Sequence, residues 1–169
     1  MIRESIAKLA EGKALSREEA HTTMLEIMSG EATQAQIASY ITALRVRGES
    51  VDVIAGSAAA MQEKFTAVKA PAGIVVDTCG TGGDGAHTFN ISTASAFVAA
   101  GAGVVVAKHG NRSVSSKCGS ADVLAALGVK IDAGPEVMEG CLSRVGIAFL
   151  FAPALHPAMK HAIGPRREI

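Results

Sequence analysis

The sequence predicts an α/β protein with a small all-helical N-terminal domain followed by a parallel-sheet α/β domain. Segments with helix caps fill the first 65 or so residues. A stretch containing proline and glycine, Thr66–Gly73, then interrupts the helical pattern. Beyond it, short apolar strands alternate with helices, an order typical of parallel sheets. The predicted domains are 1–65 (helical), 66–73 (a hinge linker) and 74–169 (α/β).

The N-terminal helices are indicated mainly by their caps. Ser16 with Glu19 matches a capping box, and Thr33 with Gln36 repeats it. The predicted helices are Met1–Ala10, which is amphipathic, and three that follow Ser16, Thr33 and Ser50 and end near Gly30, Gly48 and Phe65. Because three short helices make a thin core, part of their apolar surface is expected to form an interface.

The second half alternates strands with helices. The predicted strands are Ile74–Asp77, which is expected to be buried, Val104–Ala107 and Ile147–Phe151. The predicted helices run from about Ser92 to Ala100 and from a cap at Ser120 to Leu127, and a third begins at Pro135. In such sheets ligands bind beyond the carboxyl ends of the strands.

Composition excludes several classes of protein. The formal net charge is zero, which argues against bulk electrostatic binding to nucleic acid or to an anionic membrane. The apolar stretches are shorter than the roughly 18 residues that a membrane span needs. The three cysteines lie far apart without a CxxC pair, which favours neither a disulfide framework nor a zinc site and fits a reducing cytoplasm. Cys79 and Cys118 are expected to be small fillers.

A glycine-rich loop, Asp77–Gly85, follows the first predicted strand and holds four glycines. Glycine lets backbone amide groups approach an anion closely. Side chains that can hydrogen-bond follow at Thr88, Asn90, Ser92 and Thr93. They lie where the next helix begins, and a helix N-terminus also attracts anions. The spacing is neither that of a P-loop nor that of the dinucleotide fingerprint. The loop is therefore predicted to bind phosphate.

A second polar loop, Lys108–Ser116, is predicted directly after the second strand. Lys108 and Arg112 supply positive charge, three serines supply hydroxyl groups, and Gly110 permits close approach. Such a set suits a diphosphate, whose negative charge grows as it leaves. The two loops are expected to face one pocket.

Three blocks of sequence resemble the anthranilate phosphoribosyltransferase family. They are GTGGDG and TFNIST within Gly80–Thr93, KHGNRSVSSKCGSADVL at Lys108–Leu124, and HPAMKHAIGPRRE at His156–Glu168. The blocks occur in order along nearly the whole chain. The resemblance implies a nucleoside phosphorylase/phosphoribosyltransferase-like fold, a homodimer formed through the helical domain, and a role in tryptophan biosynthesis.

The resemblance also implies which residues contact the substrates. Contacts to phosphoribosyl pyrophosphate (PRPP) are implied for Gly80, Gly83, Asp84, Thr88, Asn90, Ile91, Ser92, Thr93, Lys108, His109, Gly110, Asn111, Arg112, Ser113, Val114, Ser115, Ser116 and Ser120. Contacts to anthranilate are implied for Gly80, Asn111 and Arg166, whose guanidinium can hold the carboxylate with two hydrogen bonds. Ser92 would also bind Mg²⁺ through its hydroxyl. Lys108 is the predicted catalytic residue, and His109 is expected to pack near the aromatic substrate rather than act as a base.

The implied reaction transfers the phosphoribosyl group of PRPP to the amino nitrogen of anthranilate. Catalysis is expected to rest on positioning and on stabilising the leaving pyrophosphate. Full members of the family are longer and carry an Asp-Glu pair that holds Mg²⁺, whereas this sequence contains no such pair. The chain is therefore expected to be a fragment that binds phosphate or substrate with weak or no turnover.

Two alternatives remain open from the sequence. A pyrimidine nucleoside phosphorylase-like enzyme shares the general fold and also handles phosphate and ribose, although the KHGNR run favours the transferase. A non-enzymatic nucleic-acid-binding relative of the same fold is the other, although it would call for a basic surface. Phosphorolysis of thymidine or uridine tests the first, and a salt-dependent DNA shift tests the second.

Overall fold

The computed structural model describes residues 1–80, 88–113 and 118–169. Its contacts divide the chain into two compact units. The helical unit comprises Met1–Phe65 and His156–Ile169, and the α/β unit comprises Thr66–Leu155. The segment from His156 onwards, which the sequence assigns to the α/β domain, thus groups with the N-terminal helices. The reason is packing, since Ala162 lies in the same buried cluster as the residues of those helices.

The elements follow one another in the predicted order. In the described residues they are α1 (Ile2–Ala10), α2 (Arg17–Met28), α3 (Gln34–Arg47), α4 (Val51–Glu63), β1 (Val75–Val76), α5 (Ile91–Gly101), β2 (Val105–Gly110), α6 (Ser120–Ala126), α7 (Pro135–Arg144), β3 (Ile147–Phe151), α8 (Ala152–Leu155), a 3₁₀ turn (Pro157–Met159) and α9 (Lys160–Glu168). The predicted start of α7 at Pro135 and the bounds of β3 are confirmed.

Both predicted capping boxes are present. The Ser16 amide donates to Glu19 Oε2 over 2.7 Å, and the Glu19 amide donates to Ser16 Oγ over 3.2 Å. Thr33 and Gln36 make the same reciprocal pair at 2.8 and 3.3 Å. Each pair satisfies backbone donors that the first turn leaves over. These short-range hydrogen bonds explain why the starts of α2 and α3 could be predicted from the sequence.

The core of the helical unit forms where α2 crosses α4. A β-carbon placed on Gly56 would overlap the backbone carbonyl oxygen of Arg17, so the two helices approach closely at a residue without a side chain. A 2.6 Å contact between His21 Nε2 and Glu63 Oε1 joins the same pair of helices. Helix α4 ends at Glu63, two residues short of the predicted end at Phe65.

The α/β unit is built on a parallel sheet. In the described residues it has three strands in the order β1-β2-β3, with Val75 paired to Val105 and Val106 paired to Ile147. The predicted strand Ile74–Asp77 shortens to Val75–Val76, and the expectation that it is buried is wrong. Ile74 is 85% exposed, because β1 pairs with β2 alone and lies at the edge of this sheet.

The segment predicted as a hinge linker runs along the α/β unit. The Thr66 amide donates to the Leu155 carbonyl over 2.9 Å, and the Lys69 amide donates to Glu139 Oε1 over 2.8 Å. Val68 packs against the cluster around Met138. In the described residues, no helix has both the length and the apolarity needed to cross a membrane.

Candidate anion-binding site of the α/β unit

Strand β2 extends further than the sequence predicts. It ends at Gly110 rather than Ala107, so Lys108, His109 and Gly110 are strand residues and not part of the following loop. The extension is stabilised by pairing with β3, where Lys108 lies opposite Phe149. Because side chains alternate along a strand, Lys108 points to the buried face of the sheet and is only 2% exposed.

The Lys108 ammonium meets the start of helix α5. Its Nζ donates to Ser92 Oγ over 3.2 Å. Burial lowers the pKa of Lys108, while the nearby Cys79 and Asp77 act in the opposite direction. A desolvated ammonium gains more from an anion than an exposed one does. Lys108 is therefore placed to bind a negatively charged ligand.

Helix α5 is capped by Asn90 and begins at Ile91, not at Ser92 as predicted. Asn90 Oδ1 accepts hydrogen bonds from the Thr93 amide at 3.2 Å, from Thr93 Oγ1 at 2.7 Å and from Ser92 Oγ at 3.4 Å. Ser92 therefore lies in the first turn, where amide groups and the helix dipole favour an anion.

Asp77 ties the first loop to strand β2. Its Oδ1 accepts hydrogen bonds from the Cys79 amide at 2.9 Å and from the His109 amide at 3.2 Å. The Thr78 hydroxyl donates to the Ser92 carbonyl over 2.8 Å. The described parts of the two loops consequently lie side by side at the carboxyl end of the sheet, next to the N-terminus of α5.

The second loop is held by Asp122, which the sequence analysis missed. Asp122 Oδ2 accepts hydrogen bonds from the amides of Gly119 at 2.9 Å and Ser113 at 3.2 Å. Its Oδ1 accepts a 2.8 Å hydrogen bond from Arg112 Nη1. The Gly119 amide, the Ser113 amide and the Arg112 guanidinium, in that order, hold the pKa of this carboxyl below its usual value. Asp122 thus joins both ends of the segment between Ser113 and Gly119.

The signal for this role was present in the sequence. Gly119 is the N-cap of α6, and Asp122, three positions later, accepts a hydrogen bond from the Gly119 amide, which is the half of a capping box that a glycine cap allows. The prediction that Ser120 caps this helix is therefore wrong, because Ser120 is the first helical residue. Its Oγ instead donates to the Asn111 carbonyl over 3.3 Å.

Two glycines of this region are required by packing. A β-carbon on Gly119 would overlap the backbone of Arg112 and Ser113, and one on Gly110 would overlap Ser120 Oγ. The space beside the Gly110 α-carbon is thus filled by protein atoms, and the contact of Gly110 with PRPP stays a prediction. Gly80 differs, since none of the described residues other than its chain neighbour places an atom within 4 Å of a β-carbon built there.

The remaining predicted residues divide into three groups. Thr88, Ile91, Asn111, Arg112 and Ser113 are exposed, whereas Lys108 and Thr93 are buried. Gly83, Asp84, Val114, Ser115 and Ser116 lie outside the described residues. Arg166 is exposed and belongs to α9 of the helical unit. The substrate contacts assigned to all these residues stay predictions.

Two family models together match nearly the whole chain. The glycosyl transferase family, helical bundle domain, matches residues 3–65, and the glycosyl transferase family, a/b domain, matches residues 72–169. The chain belongs to this glycosyl transferase family. The predicted fold class, a helical N-terminal domain followed by a parallel-sheet α/β domain, is confirmed.

Curated relatives confirm the resemblance stated from the three sequence blocks. Anthranilate phosphoribosyltransferase of Pelotomaculum thermopropionicum is 62% identical over 169 residues, which are 100% of this chain and 49% of that protein. The enzyme of the same name from Desulfosudis oleivorans is 59% identical, covering 100% and 50%. The chain therefore spans about half the length of these relatives.

Solved structures of anthranilate phosphoribosyltransferases also match the fold of this chain. Anthranilate phosphoribosyltransferase of Thermus thermophilus superposes with a TM-score of 0.89 at 43% identity, covering 97% of this chain and 50% of that one. The Saccharomyces cerevisiae enzyme in complex with PRPP and Mg also gives 0.89, at 29% identity, covering 99% and 50%.

Proposed function

We propose that this chain supplies the PRPP-binding half of an anthranilate phosphoribosyltransferase of tryptophan biosynthesis. In the proposed reaction the amino nitrogen of anthranilate bonds to the anomeric carbon of PRPP while the bond from that carbon to pyrophosphate breaks. The nitrogen loses a proton, and the products are N-(5-phosphoribosyl)anthranilate and pyrophosphate. The observation that carries the proposal is the buried Lys108 ammonium, 3.2 Å from Ser92 Oγ at the N-terminus of α5.

The protein would act chiefly on the leaving group. Negative charge grows on the pyrophosphate as its bond to the anomeric carbon lengthens. The Lys108 ammonium and the positive end of the α5 helix dipole at Ser92 are already in place to meet that charge. Donors held in position before the reaction need no reorganisation, which is how such sites lower a barrier. Lys108 is accordingly the proposed catalytic residue.

The family resemblance supports anthranilate contacts for Gly80, Asn111 and Arg166. Among the described residues nothing but its chain neighbour lies within 4 Å of a β-carbon built on Gly80, and Asn111 is exposed directly after β2. Arg166 is proposed to bind the anthranilate carboxylate, because a guanidinium matches a carboxylate with two parallel hydrogen bonds.

Magnesium is proposed to reach the site together with PRPP. Ser92 offers one hydroxyl oxygen, which already lies 3.2 Å from the Lys108 ammonium. That oxygen alone does not fit a tight Mg²⁺ site, since the ion usually takes carboxylate and phosphate oxygens. Phosphate oxygens of the substrate would separate the two positive charges. The Saccharomyces cerevisiae relative in complex with PRPP and Mg supports the binding of both together.

We also propose that the chain forms a homodimer through its helical domain. The protein would act in the cytoplasm, without nucleic-acid or membrane partners. An apolar groove of about 720 Å³ lies between α1 and α3 and is lined by Ile6, Leu9, Ala43 and Val46, among others. Val46 is 84% exposed, which is costly for a large apolar side chain unless another surface covers it. A monomeric mass at all concentrations in analytical ultracentrifugation would refute the dimer.

Calorimetry tests substrate binding by the chain directly. PRPP with Mg²⁺ is titrated into the wild type, into Lys108→Ala, and into Lys130→Ala as a matched exposed lysine of the same unit. We expect binding by the wild type and by Lys130→Ala and a strong loss in Lys108→Ala. Equal binding by all three proteins would reject the role of Lys108.

Turnover is measured separately through the loss of anthranilate fluorescence. We expect weak or no turnover by the 169-residue chain, because the sequence lacks the Asp-Glu pair of full family members. Turnover equal to that of a full-length relative would show that this half is sufficient and would refute the proposal that the chain supplies only the PRPP-binding half of the enzyme.

A further inference from the structure

Three side chains of different chemistry meet beside the candidate anion site. The Asp77 carboxylate, the Cys79 thiol and the His109 imidazole each offer one ligand atom, and these atoms all lie within 4.8 Å of one another. Asp77 and Cys79 follow strand β1, while His109 is near the end of β2. Because the ligands come from distant parts of the sequence, their spacing matches no zinc motif and the sequence predicted no zinc site.

We propose that Asp77, Cys79 and His109 form a binding site for Zn²⁺, distinct from the proposed magnesium contact at Ser92. A thiolate, an imidazole and a carboxylate are the three kinds of side chain that bind zinc. Magnesium prefers oxygen ligands alone, so the thiol and the imidazole select against it. Three protein ligands leave a fourth, open position that water or an anion can occupy.

The geometry needs only a small adjustment. Zinc–ligand distances of about 2.0–2.3 Å place tetrahedral ligands about 3.3–3.8 Å apart. Asp77 and Cys79 are exposed, so their side chains can move closer to the imidazole without disturbing the core. Asp77 Oδ1 is already fixed by the amides of Cys79 and His109, which leaves Oδ2 for the metal. Such hydrogen bonds to a ligand orient it and strengthen metal binding.

The charges favour a cation as well. A carboxylate and a thiolate together supply two negative charges beside the Lys108 ammonium. Zinc binds cysteine as the thiolate, so zinc binding should release the thiol proton, whereas a magnesium site made of oxygens should release none.

The test uses the tag-free 169-residue chain. Zn²⁺ is titrated by calorimetry in the presence of excess Mg²⁺, and Co²⁺ is added separately to detect a thiolate-to-cobalt absorption band. We expect one zinc ion per chain and a band that disappears in Cys79→Ser. Cys118→Ser, which removes another exposed thiol of the same unit, should bind as the wild type does.

Ligand removal should weaken zinc binding by at least about tenfold in Cys79→Ser and in His109→Ala. Asp77→Asn gives a second measurement if His109→Ala fails to fold, because an amide oxygen can still accept the two backbone hydrogen bonds. Unchanged affinity in Cys79→Ser, loss of binding in Cys118→Ser, displacement by Mg²⁺, or no bound zinc would each overturn the proposal. None of these results depends on PRPP binding, so they are independent of the proposed function.

Discussion

Lys108 Nζ donates a 3.2 Å hydrogen bond to Ser92 Oγ and thereby joins the end of β2 to the first turn of α5. One residue is the predicted catalytic group and the other is the predicted metal contact. A Mg²⁺ ion bound to Ser92 Oγ would lie close to this ammonium, and the two cations would repel each other unless an anion is bound between them. The pair therefore supports the proposal that Mg²⁺ reaches the site together with PRPP.

Removing the Lys108 ammonium should weaken binding of PRPP. A hydrogen bond to a charged group contributes about 1.5–3 kcal/mol, so Lys108→Ala should bind roughly ten- to a hundredfold more weakly. Wild-type affinity should also fall as the pH rises, because burial lowers the pKa of Lys108 below the usual 10.5 and neutral lysine attracts no anion. Titration calorimetry at several pH values measures both effects.

Lys108→Arg provides the control for the pH effect. A guanidinium stays protonated throughout this range, so the affinity of this variant for PRPP should not fall at alkaline pH, even if it differs from that of the wild type. A fall in the affinity of Lys108→Arg at alkaline pH equal to that of the wild type would show that another group causes it.

Replacing Asp122 by asparagine should loosen the second loop. The variant loses the charge that accepts hydrogen bonds from Ser113, Gly119 and Arg112, so the amides of Ser113 and Gly119 should exchange with deuterium faster. Asp132→Asn, at an exposed position of the same unit, should leave their exchange unchanged.

The same carboxylate should contribute to acid stability. Its pKa is lowered in the folded state, so the stabilisation is present above the ordinary value of 3.8 and is lost as the pH falls through the lower, folded value. Acid unfolding of Asp122→Asn should lack this component. Identical acid unfolding curves for the wild type and the variant would contradict the assignment.

Gly56→Ala should destabilise the helical unit by about 1–3 kcal/mol, because the new methyl group meets the backbone of Arg17 rather than a movable side chain. Gly101 is also helical, but a methyl group added there would have no described atom outside its own helix within 4 Å. Gly101→Ala should therefore be neutral or stabilising by up to about 1 kcal/mol. Urea unfolding followed by circular dichroism measures both, and equal effects would contradict the close helix crossing.

The Tyr40 phenol should ionise at an unusually high pH. It is 1% exposed, and burial raises its pKa from 10.0 to about 12. Because the unfolded chain ionises first, the contribution of Tyr40 to stability should be constant below pH 10 and be lost between pH 10 and about 12. Tyr40 is the single tyrosine and there is no tryptophan, so ultraviolet absorbance reports this residue alone. A midpoint near 10 under folded conditions would show that the phenol is accessible to water.

Local features of the structure were largely predictable. The capping boxes at Ser16 and Thr33, the first turn at Pro135 and the bounds of β3 depend on residues close in the sequence, and the structure has them as predicted. Strand length was less predictable. The extension of β2 to Gly110 depends on pairing with β3, a partner that periodicity within β2 does not reveal.

The sequence by itself determined the order of the elements, the family, and the two polar segments that follow β1 and β2. Only the tertiary structure decided that Lys108 is buried against Ser92 and that Asp122 joins Ser113 to Gly119. It also decided that the ligand atoms of Asp77, Cys79 and His109 lie within 4.8 Å of one another. The physical reason is the range of the interactions. Caps and turns arise between residues a few positions apart, whereas burial, charge pairing and metal-ligand geometry arise when the sheet brings distant residues together.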